Sequence, residues 1–133
     1  MGSLGKYIGL PYKNLGRDLK GIDCYGLIYL IFQNERKIEL PDFTDLMYEK
    51  EWYKSKNHIL DNVDEKWIEV SSSYKKYDIF LMKLGTKNIV NHCGMFIEGD
   101  KFIHIYENQT SMISHLNGFW SDIFHKAIRW KVN

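Results

Sequence analysis

The chain is short of several things, and each shortage excludes something. It holds two cysteines in 133 residues, Cys24 and Cys93, too few for the disulfide framework of a small secreted scaffold. A single bond between the two stays open at this level. It holds two prolines, whose effect is local: Pro11 lies in the turn-like "GLPYKNLG", and Pro41 is expected to end the first helical region. A surplus of charge is also missing. With a formal net charge of +1, nothing electrostatic points to a nucleic-acid partner. No apolar run approaches the roughly 20 residues that span a bilayer, so no membrane span is expected. The opening "MGSLGKYIGLPYK" lacks the apolar centre of a signal peptide. There is no internal repeat and no low-complexity segment.

What is present argues for a folded domain. Hydrophobic residues make up 44% and aromatic residues 15% of the chain, which suits a compact core and not a disordered segment. The length fits one domain, 1–133, with a core that needs no covalent staple. From Cys24 to about Glu35 the residues Leu27, Ile28, Leu30, Ile31 and Phe32 predict a helix too apolar for the surface, with Asp23 as its N-cap. Residues 42–57 carry weak helical periodicity and predict one or two short helices. The second half changes character. "YDIFLMKL", "HCGMFIEG", "KFIHIYEN" and "KAIRWKV" read as strands, and "EGDK" as a tight hairpin turn with Gly99 or Asp100 left-handed. Helices followed by antiparallel strands predict an α+β fold.

The chemistry centres on "KGIDCYGLIYLIF". An unsatisfied helix N-terminus carries about half a positive charge, which favours thiolate over thiol at a first-turn cysteine. A buried cysteine is also an ordinary core residue, so Cys24 needs a partner to be a nucleophile. Histidine is the natural one, because it takes the thiol proton and later hands it to a leaving amine. Of the five histidines, His92 and His104 fall on the predicted hairpin. A turn at Gly99–Asp100 puts residue 92 roughly opposite 106 or 107 and makes His104 its diagonal neighbour. Cys24, His92 and His104 then form nucleophile, base and orienting group, although a strand histidine is also often just half buried and hydrogen-bonded. His58, His115 and His125 are given no role. Cys93 alternates away from His92 along its strand and is read as core. The spacing fits no usual zinc pattern, so no metal is expected. Tyr12 and Asp23 are assigned to the substrate and oxyanion end: Tyr12 for a hydroxyl aimed at a developing oxyanion, Asp23 for its place beside the thiol. Tyr12 taken alone reads first as an aromatic packed on the helix.

Taken together, "GLPYKNLGRDLKGIDCYGLIYLIF" and "NHCGMFIEGDKFIHIY" resemble the two blocks of the NlpC family of cell-wall cysteine peptidases: an Asp-Cys-x-Gly-Leu helix start, then a His-x-Gly hairpin strand with a polar residue on the next strand. "YDIFLMKL" and "KAIRWKV" resemble the flanking strands, while 37–75 matches nothing in the pattern. The resemblance implies a papain-like α+β fold, with the nucleophile at a helix start packed on a C-terminal antiparallel sheet. It implies a peptidase acting through a Cys24 thioester on peptidoglycan stem peptides, typically between D-glutamate and a diamino acid. His92 would be base and acid, His104 its orienting residue, Tyr12 the tyrosine near the thiolate and the Cys24 amide an oxyanion donor. No cofactor is implied. Tyr25 departs from the small residue common after the cysteine, and is expected to narrow a subsite. The stand-alone form most resembles phage and prophage members. That implies tail-tip proteins as partners, a virion tail or host cytoplasm before assembly as the location, and action at the bacterial wall. Two other readings remain: a structural tail-tip component that uses the fold as a binding module, and a related acyltransferase or amidase.

Overall fold

The computed structural model describes residues 2–41, 64–85 and 89–131. Its frame is one six-stranded antiparallel sheet. β1 (Arg17–Asp18) and β2 (Gly21–Ile22) form a short ribbon by themselves. The large sheet runs β3 (Trp67–Val70), β8 (Phe124–Trp130), β4 (Ile79–Met82), β5 (His92–Glu98), β6 (Lys101–His104) and β7 (Met112–His115) from edge to edge. This is the α+β arrangement the sequence predicts. The four predicted strands lie at or beside its centre, and two further strands, β3 and β7, form its edges.

The central strands read as unbroken apolar runs because both faces of the sheet are covered. Every residue of Ile79–Met82 is buried, as is His92–Ile97. One face carries Ile79, Leu81, Cys93, Met95 and Ile103 and packs on the helix α1 (Cys24–Ile31), through Leu27, Ile28 and Ile31. The other face carries Phe80, Met82, Phe96 and Phe102. Tyr74, Phe124 and Trp120 close over it, the last from a six-residue helix, α2 (Gly118–Ile123). The turn between β5 and β6 has Gly99 at φ 60°, as the sequence predicts. Its register pairs Gly94 with His104 and Phe96 with Phe102, and continuing it places His92 opposite Tyr106.

The first helical region ends earlier than Pro41. After Ile31 the helix widens into a π turn (Phe32–Arg36) and stops at Lys37, a left-handed cap at φ 57° whose amide donates to the Phe32 carbonyl. That one residue turns the chain four positions before the proline is reached. The helices expected over 42–57, and His58, lie outside the described residues.

Candidate active site

Cys24 owes its position to the residue before it. Asp23 has extended backbone angles and caps α1, its Oδ1 accepting from the Gly26 amide at 2.7 Å. The same carboxylate takes the Arg17 guanidinium at 2.8 Å and, through Oδ2, the Leu15 amide at 3.0 Å. Burial pushes the Asp23 carboxyl up from its ordinary value, while Arg17 and the two amides pull it down. Asp23 therefore joins the "NLGR" loop, β1 and the helix start into one unit. It is 1% exposed and is not among the residues that line the cleft described below, so its service to the site is to hold the Cys24 turn. The Cys24 amide, first in the helix, has no acceptor within it.

Cys24 opens onto a cleft of about 150 Å³ lined by Tyr12, Leu84, Asn91, His92, Ile105, Tyr106 and Glu107. Three of the sequence-assigned residues, Cys24, His92 and Tyr12, thus meet around one space, although 68 residues of chain separate the first two. Tyr12 is brought in from two sides. The Pro11 carbonyl and the Lys13 amide bond to Ile22 of β2, and the preceding segment is latched to Ser111, whose Oγ accepts from the Leu10 amide at 2.8 Å and donates to the Tyr7 carbonyl. Tyr25, expected to narrow a subsite, stands off this cleft: its ring lies under Arg17, its hydroxyl donates to the Pro41 carbonyl, and it is not a lining residue.

His92 opens β5, and Asn91 sets where that strand begins. The Asn91 side chain closes a two-bond ring with the backbone of Leu84, accepting from its N–H and donating to its carbonyl, both at 2.8 Å. The Asn91 carbonyl faces Cys24, whose Sγ donates to it at 4.0 Å. Among the described residues no hydrogen bond joins Cys24 to His92. The two share the cleft, and apo catalytic pairs are often this loosely set.

His104 stands where the hairpin register puts it. His92 Nε2 and His104 Nδ1 are 2.8 Å apart, so it is Nδ1 of His92 that remains for the cleft. The glycine of His-x-Gly makes this contact possible. A Cβ on Gly94 would lie 2.8 Å from the Phe102 ring and 3.2 Å from the His104 Cβ, closing the gap into which His104 leans. Beyond it, His104 Nε2 meets Ser114 Oγ at 2.8 Å. Trp120 stands edge-on to His104, with ring centroids 4.5 Å apart, and 5.9 Å from His92. Asn91, Ser114 and Trp120 are site residues that sequence reading misses. Only the register of β6 with β7 singles out Ser114, and "MISH" is too short and mixed to announce a strand.

Cys93 is buried and free, as is Cys24. It faces α1, away from the His92 side, as expected of a core residue. Burial pushes its thiol well up, and its contact with the Cys24 side chain adds to the effect. The remaining histidines are elsewhere: His115 pairs with Asp100 at 2.7 Å on the exposed side of β7, and His125 is exposed on β8. Among the described residues no group of three or more His, Cys, Asp or Glu is placed to hold a metal ion, and no helix is long and apolar enough to cross a membrane.

Both site histidines are neutral at neutral pH. Burial pushes His104 down to about 4 and His92 well below its ordinary value, with His104 alongside pushing the same way. The unfolded chain binds these protons near pH ~6.5. Between about pH 6.5 and 4 the unfolded state holds more protons than the folded one, so stability is complete above that window and falls as the pH drops through it. A calorimetric series should show Tm declining from pH 6.5 to 4, and declining less in His104→Asn. A flat Tm across the window would contradict two buried neutral rings.

Comparisons with known proteins bear on the family and the fold. The NlpC/P60 family pattern matches residues 9–129. The chain is 28% identical over 123 residues to the murein DD-endopeptidase MepS/murein LD-carboxypeptidase of Escherichia coli K12, covering 91% of this chain. It spans 56%, about half, of that relative's length. The fold is shared with the NlpC/p60 domain of the peptidoglycan hydrolase SagA, at TM-score 0.65, 19% identity and 96% and 93% of the two chains. It is shared too with an NlpC/P60 family protein from Bacillus cereus, at TM-score 0.69, 22% identity and 95% and 37% of the two chains.

Proposed function

The chain belongs to the NlpC/P60 family, and from that premise we propose that it is a cysteine endopeptidase that hydrolyses peptide bonds in peptidoglycan stem peptides. The observation that carries the reading is the relay from the cleft inward: Cys24 and His92 on one cleft, and His92 Nε2 bound to His104 Nδ1.

The steps follow from those atoms. His92 Nδ1 takes the Cys24 proton as Sγ attacks the scissile carbonyl carbon. The carbonyl oxygen becomes an oxyanion, stabilised by the first-turn amide of Cys24 and the Tyr12 hydroxyl. Collapse breaks the C–N bond, His92 passes its proton to the departing amine, and the acyl group remains as a thioester on Cys24. Water then attacks the thioester with His92 again taking a proton. The acid leaves, and the proton returns to the thiol. The paired ring of His104 orients His92 throughout.

We assign the bond between D-glutamate and the diamino acid as the one cut, from the likeness of the cysteine and histidine blocks to enzymes of that specificity. From the likeness of "GRDLKGIDCYGL" to tail-associated members, we assign delivery to the wall by a phage tail. Purified peptidoglycan incubated with the protein, its fragments identified by mass spectrometry, tests the reaction. New amine and carboxylate ends at a stem-peptide bond support it and name the bond. Release of ammonia alone, or transfer to an added amine, would replace hydrolysis by amidase or acyltransferase chemistry. Absence of the chain from purified virions of the phage that encodes it would remove the delivery route and leave the chemistry standing.

A further inference from the structure

The contact between His104 Nε2 and Ser114 Oγ extends the relay by a member. The same step across the sheet is taken twice. His104 is the diagonal neighbour of His92 across β5 and β6, and Ser114 is the diagonal neighbour of His104 across β6 and β7, where Phe102 pairs with Ser114 and His104 with Met112. Both links measure 2.8 Å, and they run through a His104 ring that is fully buried. A neutral imidazole has one N–H and one bare nitrogen, so two linked rings have two self-consistent arrangements. In one, each ring carries its proton on Nε2: His92 donates to His104, His104 donates to the Ser114 oxygen, and His92 Nδ1 faces the cleft bare. In the other, every bond reverses: the Ser114 hydroxyl donates inward, both rings are protonated on Nδ1, and His92 presents a hydrogen to the cleft. Only the first arrangement can accept the Cys24 proton.

We infer that Ser114 is a positioning residue for this relay, its oxygen accepting the His104 Nε2 proton and so supporting both histidines in the Nε2–H tautomer. A hydroxyl is suited to the task because it accepts without adding charge beside a buried ring, whereas a carboxylate at this place would draw a second proton into the pair. The choice of direction rests on the hydrolase reading above, since it is the thioester chemistry that requires a bare Nδ1 on His92.

The test is nitrogen-15 NMR of the full chain labelled at histidine, with signals assigned by comparison with His104→Asn, for the wild type, Ser114→Ala and Ser114→Thr. Expected are Nε2–H forms for both rings in the wild type, loss of the single His104 tautomer in Ser114→Ala, and its return in Ser114→Thr. With peptidoglycan as substrate, kcat should fall about tenfold in Ser114→Ala at unchanged KM, the factor one hydrogen bond commands, and recover in Ser114→Thr. Nδ1–H rings in the wild type would overturn the inference, as would a Ser114→Ala variant with wild-type spectra and kcat. Were Ser114→Ala not to fold, the wild-type tautomers and the threonine variant still decide. A wild type that cuts no peptidoglycan sinks the hydrolase reading, while the spectra continue to judge the role of Ser114.

Discussion

Replacing Cys24 by alanine is expected to abolish peptidoglycan hydrolysis while leaving the fold intact. The two effects separate because the proposed mechanism makes the thiol chemically essential, while structurally it is light. Removing the nucleophile from a triad that acts as a unit lowers kcat on the order of a millionfold, and what remains comes from binding and oxyanion stabilisation alone. Structurally the substitution deletes one sulfur atom whose described hydrogen bond is a long one, 4.0 Å to the Asn91 carbonyl. The loss of packing is worth about 1 kcal/mol, a few degrees in Tm for a chain of this size. Activity on peptidoglycan and a thermal melt, run side by side on both proteins, measure this. A variant that kept more than about a thousandth of the wild-type rate would take the nucleophile role from Cys24. The thiols add an independent reading. Cys24 opens on the cleft and Cys93 is 1% exposed, so an alkylating reagent should label one site in the native wild type and none in Cys24→Ala.

The second large effect is expected from Gly26→Ala. The position is helical, where alanine is ordinarily the better residue. Here its Cβ would lie 2.0 Å from the Gly16 carbonyl oxygen and 3.1 Å from both Asp23 Oδ1 and Arg17 Nη1. A flexible side chain would move aside. A backbone oxygen that already accepts from Arg17 at 2.8 Å cannot move without taking the loop with it. Destabilisation of about 3 kcal/mol, the upper end for an overpacked site, should lower Tm by roughly 10 °C. Because the displaced loop and the Asp23 cap also aim Cys24, hydrolysis should drop further than the melt alone accounts for. Gly5→Ala is the control, since nothing lies within 4 Å of its Cβ. Equal melts for the two variants would mean that the Gly16 loop yields, and that the glycine of Asp-Cys-x-Gly has another purpose.

Legibility in the sequence followed burial. Ile79–Met82, His92–Glu98, Lys101–His104 and Phe124–Trp130 are readable as strands because a sheet covered on both faces writes itself as apolar runs. Trp67–Val70 and Met112–His115 are four-residue edge strands with no buried residue, too short and too exposed to write an apolar run. Gly118–Ile123 buries no residue fully, so its helix has no apolar stripe to detect. Among site residues, Cys24, His92 and His104 were legible because a nucleophile, a base and an orienting group are scarce residue types at informative spacings. Asn91 and Ser114 were not, because asparagine and serine are ordinary anywhere and acquire meaning only from what they face.

The sequence by itself determined the residue types of the relay, the helix start that presents Cys24, the hairpin register that makes His104 the neighbour of His92, and the α+β order of elements. Each of these is local, set by a cap, a turn or a two-residue alternation. Only the tertiary structure decided that the start of α1 and the start of β5 open on the same cleft. It also decided that Asp23 serves Arg17, the Gly26 amide of the helix and the Leu15 amide of the loop and does not line that cleft, that Tyr25 turns away from it, and that Ser114 ends the relay. The meeting of Cys24 and His92 depends on contacts across 68 residues of chain, and that of His104 and Ser114 on the pairing of β6 with β7, while the Asp23 and Tyr25 contacts are closer in the chain but need the folded loop around the helix start. At such separations the chain's own geometry imposes nothing, and it is the packing of α1 on one face and of Trp120 on the other that chooses which polar groups meet.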